Sequence, residues 1–142
     1  MINSLAQKFV VLKSPAAIAD NTTIVTTPVD ASGFDYLDIQ VVLGALDIDS
    51  VTLKLRESDD NATWNDIDNA NFLTAKPTAT SDNGVFAFHV NLVNGRKKFI
   101  DVVFTVGDGA TGTYVTIVGQ LSRGKINPSD ANGRGYAAEL FV

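Results

Sequence analysis

Residues 107–121 read GDGATGTYVTIVGQL. The first six match Gly-x-Gly-x-x-Gly, the pattern of a dinucleotide-binding loop. That loop works only where its glycines open a helix, whose N-terminus then meets the pyrophosphate. Here the next residues are Thr113, Tyr114, Val115, Thr116, Ile117 and Val118. They are β-branched or aromatic, with apolar side chains on alternate positions, so a strand follows. Without a helix no dipole holds the phosphates, and the Gly-Lys-Ser/Thr of a P-loop is missing too. The stretch therefore reads as a glycine-rich hairpin turn leading into a strand, which points to an all-β chain.

The same alternation recurs upstream. Leu37, Ile39, Val41 and Leu43 share one face of FDYLDIQVVL, with Asp38 and Gln40 on the other. Val51, Leu53 and Leu55 alternate with Thr52, Lys54 and Arg56. Phe86, Phe88, Val90 and Leu92 alternate with Ala87, His89 and Asn91. Ile100, Val102, Phe104 and Val106 alternate with Asp101, Val103 and Thr105. Val115, Ile117, Gly119 and Leu121 complete the set. Each run fits a strand with one buried and one wetter face. Residues 8–12, 22–27 and 64–73 are weaker strand candidates. Asn83-Gly84 and Asn94-Gly95 are turn dipeptides, the second placed as in a tight hairpin. Helix signals reduce to one possible turn at Ala16–Ala19 and another within 129–140. About eight strands with short links imply one antiparallel β-sandwich, jelly-roll-like, spanning 1–142. Residues 1–20 and 123–142 lack strong alternation and read as extended arms. The second arm ends on Tyr136, Leu140, Phe141 and Val142, an apolar close that must pack on its own domain or on a neighbour.

Composition narrows the function. The chain has 142 residues, 45% hydrophobic and 19% charged, with a net charge of −5. An acidic balance argues against a large phosphate-binding footprint, hence against nucleic acid. There is no cysteine and one histidine, His89, which excludes disulfides, cysteine-ligated metals and His–His metal pairs within the chain. MINSLAQKFVVL lacks a basic n-region and a full apolar core, so it is not read as a secretory signal. No apolar stretch approaches the roughly 18–20 residues of a membrane span.

Residues 57–64, ESDDNATW, come nearest to chemistry. They resemble an Asp-box, Ser-x-Asp-x-Gly-x-Thr-Trp, with Asp59, Thr63 and Trp64 matching and Asn61 in the glycine place. Asn tolerates the left-handed backbone that glycine would supply. Asp59 is expected to accept turn amides and Trp64 to cover the hairpin. One box in so short a chain does not make a sialidase propeller. Glu57, Asp59 and Asp60 are weak metal candidates, because the EF-hand spacing is absent. Asp47 and Asp49 read as a solvated loop. His89 sits mid-strand without a nucleophile elbow, which leaves no Ser–His–Asp site. No carboxylate pair signals a general acid and base. No catalytic residue and no cofactor is expected, so the chain reads as a non-enzyme. Arg96, Lys97 and Lys98 follow the Asn94-Gly95 turn, where they solvate an edge or meet an acidic partner.

At larger scale VTLKLRESDDNATWNDI, followed by KKFIDVVFTVGDGATGTYVTIVGQL, resembles the small decoration or cement proteins of tailed-phage heads. The likeness covers roughly residues 34–122, in the style and order of its two hairpins. It implies a jelly-roll-like sandwich, often trimeric, that binds the major capsid protein on the outer lattice and stiffens it. It implies a virion location after synthesis in the host cytoplasm, with termini making capsid or subunit contacts. On that basis Arg123, Lys125, Arg134, Tyr136, Leu140, Phe141 and Val142 are the expected partner or oligomer contacts. A phage tail or baseplate sandwich is one alternative. A carbohydrate-binding module, with Trp64, Tyr36 and Tyr114 as stacking rings, is another.

Overall fold

The computed structural model describes residues 6–93, 95–125 and 130–140. Nine strands follow one another with no α-helix among the described residues: β1 Lys8–Ile18, β2 Thr23–Val25, β3 Val29–Asp30, β4 Tyr36–Leu43, β5 Thr52–Ser58, β6 Asn65–Asn71, β7 Val85–Asn91, β8 Phe99–Thr105 and β9 Thr113–Ser122. Alternating apolar positions explain the two central strands of sheet A best. Leu37, Ile39 and Val41 of β4 and Ile117 and Leu121 of β9 are wholly shielded from solvent, and their even-numbered neighbours are not.

Sheet A has the order β1-β9-β4-β7 and sheet B the order β2-β8-β5-β6, with β3 also on β8. Every pairing is antiparallel. Taking β2 and β3 as two halves of one interrupted strand leaves eight strands in two sheets. Six of the seven connections between them then follow one pattern, the chain passing from one sheet to the other. Only β5 and β6 are consecutive and paired. This is the strand order of a jelly roll, an antiparallel β-sandwich. Leu12, Leu37, Ile39, Leu53, Leu55, Ile100, Phe104 and Ile117 line the single core between the sheets.

Three expectations need correction. Of the arm expected over 1–20, residues 1–5 lie outside the described residues, and residues 8–18 are instead strand β1, an edge of sheet A. Its register shifts between Val11 and Lys13 and again between Lys13 and Ala16. Each irregularity resets which side chain faces the core, so the alternation is lost from the sequence. The same strand takes up the turn expected at Ala16–Ala19. Second, the Asn94-Gly95 connection (Asn94 lying outside the described residues) is no hairpin, since β7 and β8 belong to different sheets. Third, Gly107–Gly112 also crosses between sheets, from β8 to β9, and closes no hairpin. Two alternating runs separated by a turn signal look alike whether the chain folds back in one sheet or steps to the other.

The C-terminal segment returns to the start of β1. Residues 130–136 form a turn, with Arg134 and Tyr136 donating amides to Asp130 and Ala131 carbonyls. The Phe9 amide donates to the Arg134 carbonyl at 2.7 Å, and the Phe9 and Tyr136 rings lie 5.3 Å apart. A Cβ on Gly135 would fall 1.8 Å from the Phe9 carbonyl oxygen, so only glycine fits there.

Candidate interaction surfaces

The ESDDNATW stretch is the β5–β6 hairpin, and its lock is Asp60, not Asp59. The Asp60 carboxylate accepts from the amides of Ala62 (2.9 Å) and Thr63 (2.7 Å) and from the hydroxyls of Ser58 (2.8 Å) and Thr63 (3.0 Å). The Thr63 amide, then the Ala62 amide, hold its pKa far below the usual carboxylate range. Asn61 takes the left-handed backbone, φ 58°, which an Asn accommodates at low cost. Trp64 lies beneath the Arg56 guanidinium, 5.3 Å from ring centre. The other acids turn elsewhere: Glu57 accepts the Lys97 amide and pairs with Arg96 at 3.5 Å, and Asp59 faces Lys97 at 3.6 Å. Glu57 and Asp59 thus turn to Arg96 and Lys97, whereas Asp60 turns into its own hairpin. No group of three metal-binding side chains gathers among the described residues.

The glycines of GDGATG are required by close packing. A Cβ on Gly107 would lie 2.3 Å from the Asp49 carbonyl oxygen, and one on Gly112 would lie 1.6 Å from that of Ile18. Asp47 reaches across to accept the amides of Ala110 (2.5 Å) and Thr111 (2.8 Å). Those bonds, Thr111 first, lower its pKa. Asp49 accepts the Ala79 amide at 3.0 Å. This pair, expected as a solvated loop, instead clasps neighbouring loops. Asp20 is the exception in this region. Its Oδ1 is enclosed without a hydrogen-bond partner. Desolvation, with repulsion from Asp47 and Asp108, raises its pKa.

The strand registers sort the connections into two ends with different charge. Loops 19–22, 44–51, 72–84 and 106–112 share one end. They carry Asp20, Asp47, Asp49, Asp82 and Asp108 against a single cation, Lys76. Connections 31–35, 59–64, 92–98 and 123–125 share the other, together with the start of β1. Here Arg96, Lys97, Lys98, Arg123 and Lys125 stand against Asp35, Asp59 and Asp60 of the connections, while Glu57 and Asp30 at the adjoining strand ends pair with Arg96 and Lys98. Phe34, Arg96, Lys97, Lys98 and Lys125 wall a cavity of about 360 Å³ at this end. The Arg96–Lys98 cluster is legible in the sequence, but its meeting with Arg123 and Lys125 is not, because they come from a different connection.

Among the residues expected to meet partners, Arg123 lies over Tyr36 at 5.6 Å and Lys125 donates its amide to the Gly33 carbonyl, which leaves both at the basic end. Arg134 is buried, pairs with Glu139 of the same tail and accepts the Phe9 amide at its carbonyl, and Tyr136 packs on Phe9, so Phe9 holds the tail to its own domain. Leu140 is exposed. Phe141 and Val142 lie outside the described residues. The three candidate stacking rings stay apart. Trp64 is on the sheet B hairpin, whereas Tyr36 and Tyr114 sit at opposite ends of sheet A. His89 Nδ1 lies 2.6 Å from Asp38 on the exposed face of sheet A, and no hydroxyl joins them among the described residues.

One buried contact gave no warning in the sequence. Asp101, placed by alternation on the wetter face of β8, is 1% exposed and binds Arg56 through two bonds of 3.0 and 2.6 Å. Comparison with known proteins adds nothing to these surfaces: no protein-family model matches the chain, and no curated protein matches it.

Proposed function

We propose that this chain is a non-enzymatic virion protein that decorates the outer capsid lattice and stiffens it. The observation that carries the proposal is the charge polarity of a rigid sandwich. One end gathers Arg96, Lys97, Lys98, Arg123 and Lys125 beside the start of β1, and the other holds most of the acidic excess. A decoration protein needs a preformed surface that binds an acidic lattice and an opposite surface that stays soluble. A basic docking end and an acidic outward end meet both needs, since complementary charge steers encounter and like charge on the outer end discourages aggregation. The resemblance of 34–122 to phage-head decoration proteins points the same way. The resemblance implies the major capsid protein as partner and a homotrimer as the lattice-bound assembly, which is a state of the protein on the capsid and not of the free chain.

The test is sedimentation of the tagged chain with particles from an infection by the virus that encodes it. The chain should travel with heads at a fixed ratio to the major capsid protein, and Lys98→Ala/Lys125→Glu should reduce that ratio while circular dichroism stays unchanged. Occurrence with tails alone would move the protein to the tail or baseplate, and absence from all particles would refute the proposal.

A further inference from the structure

A sandwich has four sheet edges, and each edge strand offers unpaired backbone groups to another chain. Three of the four edges in this protein carry devices that block such pairing. In β1 there are Lys8, Lys13, Pro15 and two register shifts. The β2–β3 edge consists of pieces of three and two residues separated by Pro28. In β6 there are Asp66 and Asp68, a left-handed Asn69 (φ 63°) and an irregular register with β5.

β7 has none of these. It runs seven residues, VFAFHVN, in unbroken register with β4 and contains no Lys, Arg, Asp, Glu or Pro. The Leu43 amide donates to the Gly84 carbonyl and the Leu92 amide to the Asp35 carbonyl. These bonds fix the parity: even-numbered residues of β7 bond to β4. Val85, Ala87, His89 and Asn91 therefore turn their amides and carbonyls to the open edge. No other strand among the described residues pairs with that edge. Beside it a groove of about 500 Å³ opens between β7 and β6, bordered by Phe72, Phe88 and Val90.

We propose that the β7 edge pairs antiparallel with β7 of a second copy about a twofold axis at Phe88. The strand is complementary to itself in that register. Val85 meets Asn91, and Ala87 meets His89, as hydrogen-bonded pairs. Four such pairs, at two bonds each, give about eight main-chain bonds. On the groove side Phe86 meets Val90 and Phe88 meets its own copy, so apolar side chains face apolar side chains. Charge favours the same occupant. In a chain of net charge −5, two copies repel over most approaches, and this edge brings no carboxylate of its own strand to the contact. The two sheets A become one eight-stranded sheet, and the two β6–β7 grooves meet at the axis.

The experiment is sedimentation equilibrium of the full chain from micromolar to sub-millimolar concentration, for wild type, Ala87→Lys, His89→Lys and, as control, Val11→Lys. Ala87, His89 and Val11 all expose their side chains, so each lysine is tolerated by the monomer, and circular dichroism checks the fold. The wild type should rise with concentration from 15.1 kDa to twice that mass. Either β7 lysine should hold it at 15.1 kDa, and the Val11 change should leave the rise intact. A wild type that stays monomeric, a trimer, or a dimer that persists in a folded Ala87→Lys or His89→Lys variant would overturn the proposal. It stands independently of capsid binding, which could fail without altering these masses.

Discussion

Replacing Asp101 by Leu should destabilise the fold by about 2–3 kcal/mol, because it removes a pair of charge-assisted bonds from a partly screened site. The Asp101 carboxylate is fully enclosed and takes both bonds from Arg56, whose side chain keeps 24% of its exposure. Losing one partner of a fully buried pair costs about 3–5 kcal/mol, because the other charge is stranded. Arg56 is not fully stranded. It retains water on one side, the Trp64 face, and Asp66 as its cross-strand neighbour on β6, which lowers the cost. The opposite change, Arg56→Met, leaves a carboxylate with no exposure at all and should cost more, about 3–5 kcal/mol. The double variant Arg56→Met/Asp101→Leu strands nothing and should return close to wild type, within about 1 kcal/mol. Urea unfolding followed by Trp64 fluorescence reads all four corners of the cycle. With a slope of about 1–3 kcal/mol per molar urea, the Asp101→Leu midpoint should fall by about 0.7–3 M. Additive single changes, or an Asp101→Leu midpoint equal to wild type, would refute the claim that this pair is held as a buried unit.

Three further outcomes follow from the loops. Gly112→Ala places a Cβ against the Ile18 carbonyl oxygen and should lower stability by about 3 kcal/mol, seen as an earlier thermal transition. Asp20→Asn should raise the melting temperature at pH 7. The native pKa of Asp20 lies above its unfolded value, so the ionised group weakens the fold above the native pKa. The advantage of the Asn variant should shrink as pH falls through that pKa towards the unfolded value, and a gap that widens in acid would contradict this. Asp60→Ala should lower the melting temperature and red-shift Trp64 emission as the hairpin loosens. The native pKa of Asp60 is depressed, so its stabilisation is complete above the unfolded value of about 3.9 and is lost as pH falls further. The deficit of Asp60→Ala should therefore be constant from pH 7 to near that value and fade below it.

Period-two patterning was enough, by itself, to specify an all-β sandwich and the core positions of β4, β5, β8 and β9. Side chains alternate across a strand whatever sheet it joins, so Leu37, Ile39, Leu53, Phe104 and Ile117 declare their inward face locally. The reading of GDGATG as a non-nucleotide turn was equally local, since a strand follows it. Tertiary structure decided everything that depends on which strand lies beside which. It turned the Asn94-Gly95 and Gly107–Gly112 links into steps between sheets, made β1 an edge strand through bulges that erase its pattern, and closed Arg56 over Asp101 from a strand 45 residues away in sequence. It also gathered cations from separate connections at one end and left β7 as the unguarded edge. Alternation is a property of one strand, whereas neighbours, register and charge polarity belong to the assembled sheets.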